Sequence, residues 1–167
     1  MVTHTLEPII NRDAKILILG SFPSVKSREQ SFYYMHPTNR FWDVLAAIYH
    51  ENFRKMNNME KKACLLKHHV ALYDVVKQCQ IQGSSDASLE VVRVHNIADL
   101  LQGTAVRYII LNGRKAEVLF KRYFPELVEM ALYKPSTSVA NAMYRLDDLV
   151  DEWKEIGVLS KEITSEC

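Results

Sequence analysis

The chain alternates short, wholly apolar runs with longer stretches in which apolar residues recur every three or four positions. Lys15 to Gly20 reads KILILG, a continuous apolar run ended by glycine. That is the pattern of a strand buried on both faces, as in a parallel sheet. His69 to Val76 (HVALYDVV) and Ala105 to Leu111, running on into Asn112-Gly113, repeat it, and Leu127 to Tyr133 predicts a short fourth strand. Helical spacing begins after Asn39, where Phe41, Trp42, Leu45, Ile48 and Tyr49 share one face. Further helices are predicted over Lys55 to His68 and Leu89 to Leu101 (Ile97, Leu100 and Leu101 inward). Another follows Gly113 as RKAEVLFKRYF up to Pro125, and the last runs from about Ala140 to Ile156. The stretch QIQGSSDAS reads as loop.

Strands alternating with helices predict an α/β protein: three layers, α/β/α, around a central, mainly parallel four-stranded sheet. A single domain is expected over residues 1–167, with 1–13 and 157–167 as peripheral tails. Ligands of such folds bind beyond the carboxyl ends of the strands. The loops after the first strand (Ser21 to Thr38), after the second (from Asp74) and after the fourth (Lys134 to Ser138) would open there.

Composition narrows the partners more than the fold. Apolar residues make up 48% of the chain and charged residues 25%, ordinary for a globular protein. Lys and Arg number 21 against 20 Asp and Glu, so a nucleic-acid surface would have to be a local patch. The three cysteines (Cys64, Cys79, Cys167) are few, odd in number and without metal spacing. Reduced thiols in a cytoplasmic protein are expected, with no metal and no cofactor. The N-terminus lacks an apolar signal-peptide core, and no apolar run approaches a membrane span.

The segment Ser31 to Trp42, SFYYMHPTNRFW, crowds rings around one short amide, Asn39. Asn39 stands where an amide can cap a helix, and Phe41 and Trp42 fit the inner helix face. Tyr33 and Tyr34, taken alone, read first as core-edge aromatics. His36 beside Pro37 reads as structural, Asp74 as a strand-end cap or a base reader, and Asp86 as a turn residue. PSTS at Pro135 to Ser138 is an ordinary helix start, and the acidic run Asp147, Asp148, Asp151 and Glu152 a solvated face. His68 and His69 have no metal-like companion in sequence.

Taken together and in order, GSFPS (Gly20 to Ser24), HPTNRFW (His36 to Trp42) and PSTS (Pro135 to Ser138) resemble the uracil-DNA glycosylase superfamily. HPTNRFW is similar to the segment of mismatch-specific uracil and thymine glycosylases. GSFPS, the paired tyrosines, ALYDVV followed by GSSDAS, and PSTSVANA are closer to the hypoxanthine (deoxyinosine) branch. The likeness spans roughly Ile16 to Trp153.

The resemblance implies a uracil-DNA-glycosylase-like fold and a monomeric base excision repair enzyme acting on DNA. It would turn a deaminated base, hypoxanthine ahead of uracil, out of the helix and hydrolyse its N-glycosidic bond. Most of the superfamily has Asp or Asn just before the proline of the first motif to position water; here that place is Phe22. The deoxyinosine branch shares this departure, which moves the water role to Asn39. A base held by rings gains roughly 1–3 kcal/mol from stacking, so Tyr34 is the candidate stacker, with Phe22 or Tyr33 as the flanking wall. Gly20, Ser21 and Asp74 complete the expected base pocket. Ser24, Lys26, His36, Arg40, Lys134, Pro135, Ser136, Thr137, Ser138 and Asn141 are the expected DNA contacts, with Arg28 adding to the basic patch and Val139 to Asn141 as a wedge. Three alternatives stay open: a uracil or G:T/G:U mismatch glycosylase, an inactive nucleic-acid or nucleotide binding module, and a flavodoxin-like ligand binder. The last is weakened by the lack of a glycine-rich phosphate loop.

Overall fold

A computed structural model describes residues 1–81 and 89–161. Four apolar runs form a parallel sheet in the order β3-β2-β6-β7: β2 is Ile16–Gly20, β3 Val70–Asp74, β6 Tyr108–Asn112 and β7 Ala131–Lys134. Every residue of β2 is buried. Because side chains alternate across a strand, the sheet feeds two cores. Ile16, Ile18, Val70, Leu72 and Ile110 enter one; Leu17, Leu19, Ala71, Ile109 and Leu111 enter the other.

The first core is closed by α2 (Phe41–Tyr49), α3 (Asn58–Lys67), α6 (Leu146–Trp153) and α7 (Glu155–Leu159), which contribute Trp42, Leu45, Leu65, Leu149, Trp153 and Ile156. The second is closed by α4 (Ile97–Leu101) and α5 (Arg114–Tyr123), through Ile97, Leu119 and Phe120. The predicted three layers around a four-stranded parallel sheet are thus present. No helix among the described residues is long and apolar enough to cross a membrane.

The local reading failed in six places. Leu89 to Val94 is not helical but strand β5, and Gln80 and Ile81 lie not in a loop but in β4 (Val76–Ile81). With β1 (Val2–Thr3) these build a second, antiparallel sheet, β1-β4-β5. In LEVVRV the β-branched valines favour a strand, and only after Asn96 caps Asp99 N–H (3.1 Å) does helix begin. The rest of the GSSDAS stretch, including Asp86, lies outside the described residues.

The expected strand from Leu127 shortens to β7, preceded by a 3-10 turn over Pro125–Met130. The last helix starts at Leu146, not Ala140, where the Asp148 carboxylate accepts the Arg145 N–H (2.9 Å). Finally, the first thirteen residues are not peripheral: His4, Leu6 and Ile9 are buried, and Ile9 exchanges two backbone hydrogen bonds with Leu72. Past residue 157 the chain is still packed, with Ser160 buried and bonded to Tyr49 Oη (2.7 Å).

Candidate active site

All four parallel strands end at one cleft of about 310 Å3. Gly20 ends β2, Asp74 ends β3 and Asn112 ends β6, and the loop after β7 supplies Ser136 to Ala140. The β2 loop adds Ser21 to Ser24, then Ser27 in the first turn of helix α1 (Val25–Gln30), which Ser24 caps (Ser27 N–H to Ser24 Oγ, 3.1 Å). Tyr33, Tyr34, His36, Thr38 and Asn39 complete the rim. The motifs read in the sequence therefore converge on the site that the strand order alone would single out.

Gly20 is required by close approach. A Cβ there would lie 2.6 Å from Asp74 Oδ1 and 3.0 Å from Tyr34 Oη. Asp74 is 3% exposed; its Oδ2 accepts a hydrogen bond from His4 Nε2 (2.9 Å) and its backbone carbonyl one from His95 Nδ1 (2.8 Å). Burial pushes the His95 imidazole down to about 4, so the ring is neutral near pH 7. Tyr34 sits in left-handed backbone (φ 55°), a conformation that costs a non-glycine residue about 1–2 kcal/mol. Its ring stacks on Phe41 with centroids 3.9 Å apart. Its hydroxyl is buried, and burial, then the Asp74 carboxylate, holds the phenol well above its usual range, with the Asn112 side chain acting weakly the other way. Tyr33 is also held, donating its hydroxyl to Glu7 O (2.7 Å). Phe22 is buried in the second core, with the Arg28 guanidinium 5.6 Å over its ring.

Asn39 is held at the start of α2 by its side-chain oxygen. Its Oδ1 accepts the Phe41 N–H at the start of α2 (2.9 Å) and the Thr137 hydroxyl (2.9 Å). Thr137 is in turn held by Asn112, whose Nδ2 donates to Thr137 Oγ1 (3.2 Å) while its Oδ1 accepts Thr137 N–H (3.1 Å). A backbone N–H can donate only to the oxygen, so this contact sets the amide's orientation. The end of Asn39 that remains without a partner among the described residues is its NH2 group.

Several expected DNA contacts are spent inside the protein. Thr137 is fully buried in that network. Lys134 is 7% exposed and ion-paired with Glu155. Arg40 donates to the carbonyls of Thr137 (3.3 Å), Ser138 (2.7 Å), Asn141 (3.3 Å) and Tyr144, so it clamps the loop after β7 instead of reaching outward. Pro135 is buried, its carbonyl accepting Trp153 Nε1–H (2.9 Å), and Asn141 donates to Ser136 O (3.2 Å). Ser136 Oγ and Ser138 Oγ accept the N–H groups of Ser138 and Ala140. These contacts give the loop one shape and leave Val139 and Ala140 exposed at the cleft mouth. Lys26 stands exposed and His36 lies on the rim.

Sequence reasoning missed His4, Ser27, Thr38 and Asn112. Asn112 had a usable signal, a polar residue ending an apolar strand; His4 had none. It also missed that Glu51, Cys64 and His68 come together within 4.8 Å. That group shares no residue with the cleft, and Glu51 is already engaged by His68 (3.0 Å) and Lys67 (3.5 Å).

The chain is similar to known proteins in sequence and in fold. A Methanosarcina acetivorans protein named hypoxanthine DNA glycosylase is 32% identical over 161 residues, covering 93% of this chain and 98% of its own. A Methanosarcina barkeri protein of the same name is 30% identical over 111 residues, 65% of this chain and 70% of its own. The solution structure of a Methanosarcina acetivorans protein considered a candidate uracil DNA glycosylase superposes with a TM-score of 0.81 at 29% identity, over 96% of this chain and all of that one. Residues 7–156 match the model of the uracil DNA glycosylase superfamily, and the chain belongs to that superfamily.

Proposed function

We propose that this chain is a monofunctional DNA glycosylase that hydrolyses the N-glycosidic bond of a deaminated base in DNA, with hypoxanthine as its first substrate. The observation that carries the reading is the convergence of Gly20, Tyr34, Asn39 and Asp74 on one cleft at the carboxyl edge of the sheet. The names of the Methanosarcina relatives favour hypoxanthine.

Base release needs the nucleotide out of the stack, which costs a few kcal/mol and less for a mispaired base. The exposed Val139 and Ala140 on the clamped loop are suited to fill the gap left behind. The transition state of glycosidic cleavage is oxocarbenium-like, so a held water suffices and no strong base is required. Phe22 offers no polar atom for that water. The Asn39 NH2 group can donate to the water oxygen and leave its other lone pair for C1′, or donate to the base as it departs with negative charge. The chain's own contribution is position and electrostatics. Action as a monomer in the cytoplasm is part of the proposal, checked by sedimentation and by localisation of a tagged chain.

The test is single-turnover base release from duplexes carrying deoxyinosine, deoxyuridine or a G·T pair. Fastest abasic-site formation from deoxyinosine is expected. Faster release from uracil or G·T would replace the substrate, and tight DNA binding with no release from any of them would make the cleft a binding module.

A further inference from the structure

His4 takes no direct part in the proposed chemistry, yet it is built into the floor of the cleft. It follows β1, whose pairing with β4 (Thr3 opposite Gln78) and the bond from His4 N–H to Lys77 O (2.7 Å) carry it under the cleft. Its side chain is fully buried. Rings surround it: Phe22 at 6.1 Å, Tyr73 at 5.2 Å and His95 at 4.6 Å, each edge-on. Its Nδ1 is buried without a hydrogen-bond partner among the described residues. A polar atom buried in this way costs stability. Among the described residues the ring makes one polar contact, Nε2 to Asp74 Oδ2, across 70 positions of sequence.

We infer that His4 is a positioning residue for base recognition. It pins one oxygen of Asp74 so that the other, Oδ1, accepts the ring N–H of the extruded base. This rests on the glycosylase reading given above. Oδ1 is the oxygen on the Gly20 side and receives no hydrogen bond from a described residue. An ionised carboxylate only accepts hydrogen bonds. Deamination turns the acceptor nitrogen of adenine or cytosine into the donor N–H of hypoxanthine or uracil. Asp74 at the floor therefore favours the lactam products and repels the ring lone pair of the parent bases. A site built to bond an N–H rejects analogues lacking it by large factors. Without His4 the carboxylate can turn about its side-chain torsions, and a displacement of about 1 Å at a reacting centre costs on the order of 100-fold.

The experiment compares wild type with His4→Gln, whose amide N–H can take the place of Nε2–H, and His4→Leu, which keeps bulk and loses the donor. Single-turnover release from deoxyinosine duplex is read as a rate constant at saturating enzyme. Binding is read separately on a duplex with a 2′-fluoro, cleavage-resistant deoxyinosine. Expected are a 10- to 100-fold lower rate for His4→Leu, binding of the cleavage-resistant duplex weaker by about threefold or more, and recovery of both to within about fivefold of wild type in His4→Gln. Wild-type rate in His4→Leu, or equal loss in both variants, would overturn the inference. If His4→Leu does not fold, His4→Asn, too short to reach Asp74, is held to the same outcomes. A wild-type chain that releases no base is a different result, and it refutes the glycosylase reading itself.

Discussion

Replacing Asn39 by Asp separates what the amide's two ends do. Its Oδ1 holds the first N–H of α2 and the Thr137 hydroxyl, while its NH2 has no partner among the described residues. Asn39→Asp keeps an acceptor oxygen for both bonds. It also places a negative charge at a helix N-terminus, a change worth about 0.3–1 kcal/mol in favour of the fold. Asn39→Ala loses the cap, about 1 kcal/mol. It also leaves the fully buried Thr137 hydroxyl without its acceptor, about 1–3 kcal/mol more. For a chain of this size that is a Tm lower by roughly 4–16 °C, against little change or a small rise for Asn39→Asp. If the NH2 group is what serves the reaction, both variants lose about 100- to 1000-fold in single-turnover release, the range for removing one preorganised donor. Calorimetry and base release on the same preparations give both numbers. An Asn39→Asp enzyme as fast as wild type, or faster, would show that an oxygen acting on the water matters and would refute the donor assignment.

Gly20→Ala forces a methyl to 2.6 Å from the Asp74 carboxylate, which His4 holds in place. A loss of about 1–3 kcal/mol is expected, together with base release at a small fraction of the wild-type rate; normal activity would mean the floor of the cleft is soft. Lys26→Ala should lower the salt dependence of DNA affinity by about one unit of slope. Lys134→Met should leave it unchanged, because that ammonium is buried against Glu155; fluorescence anisotropy over a salt series distinguishes them. His95 titrates near 6.5 in the unfolded chain but near 4 in the native one. Between those values the unfolded chain binds the extra proton, so stability falls as pH drops from about 6.5 toward 4. Denaturant midpoints across that window should flatten in His95→Gln, and an unchanged pH slope would assign the effect to another group.

The strands of the parallel sheet were legible because a strand covered on both faces has to be apolar at every position, and that leaves a continuous run such as ILIL. The cleft was legible for a related reason: where those runs stop, at Gly20, Asp74 and Asn112, the chain leaves the sheet on one edge, and the motifs sit just past that edge. β5 leaves a trace in the β-branched valines of LEVVRV, but the helical periodicity of Ile97, Leu100 and Leu101 masks it when carried back past Asn96, whose cap is the true start.

By itself the sequence determined the class of fold and the order of the motifs around one edge. It did so because burial on both faces and helix starts leave marks within a few residues. Only the tertiary structure decided which polar groups are free to act. Arg40 and Thr137 meet across 97 positions, His4 and Asp74 across 70, and Lys134 finds Glu155 on another element. Whether a serine, lysine or histidine faces a ligand or is consumed holding a neighbour depends on such long-range partners. No periodicity or spacing along the chain encodes them.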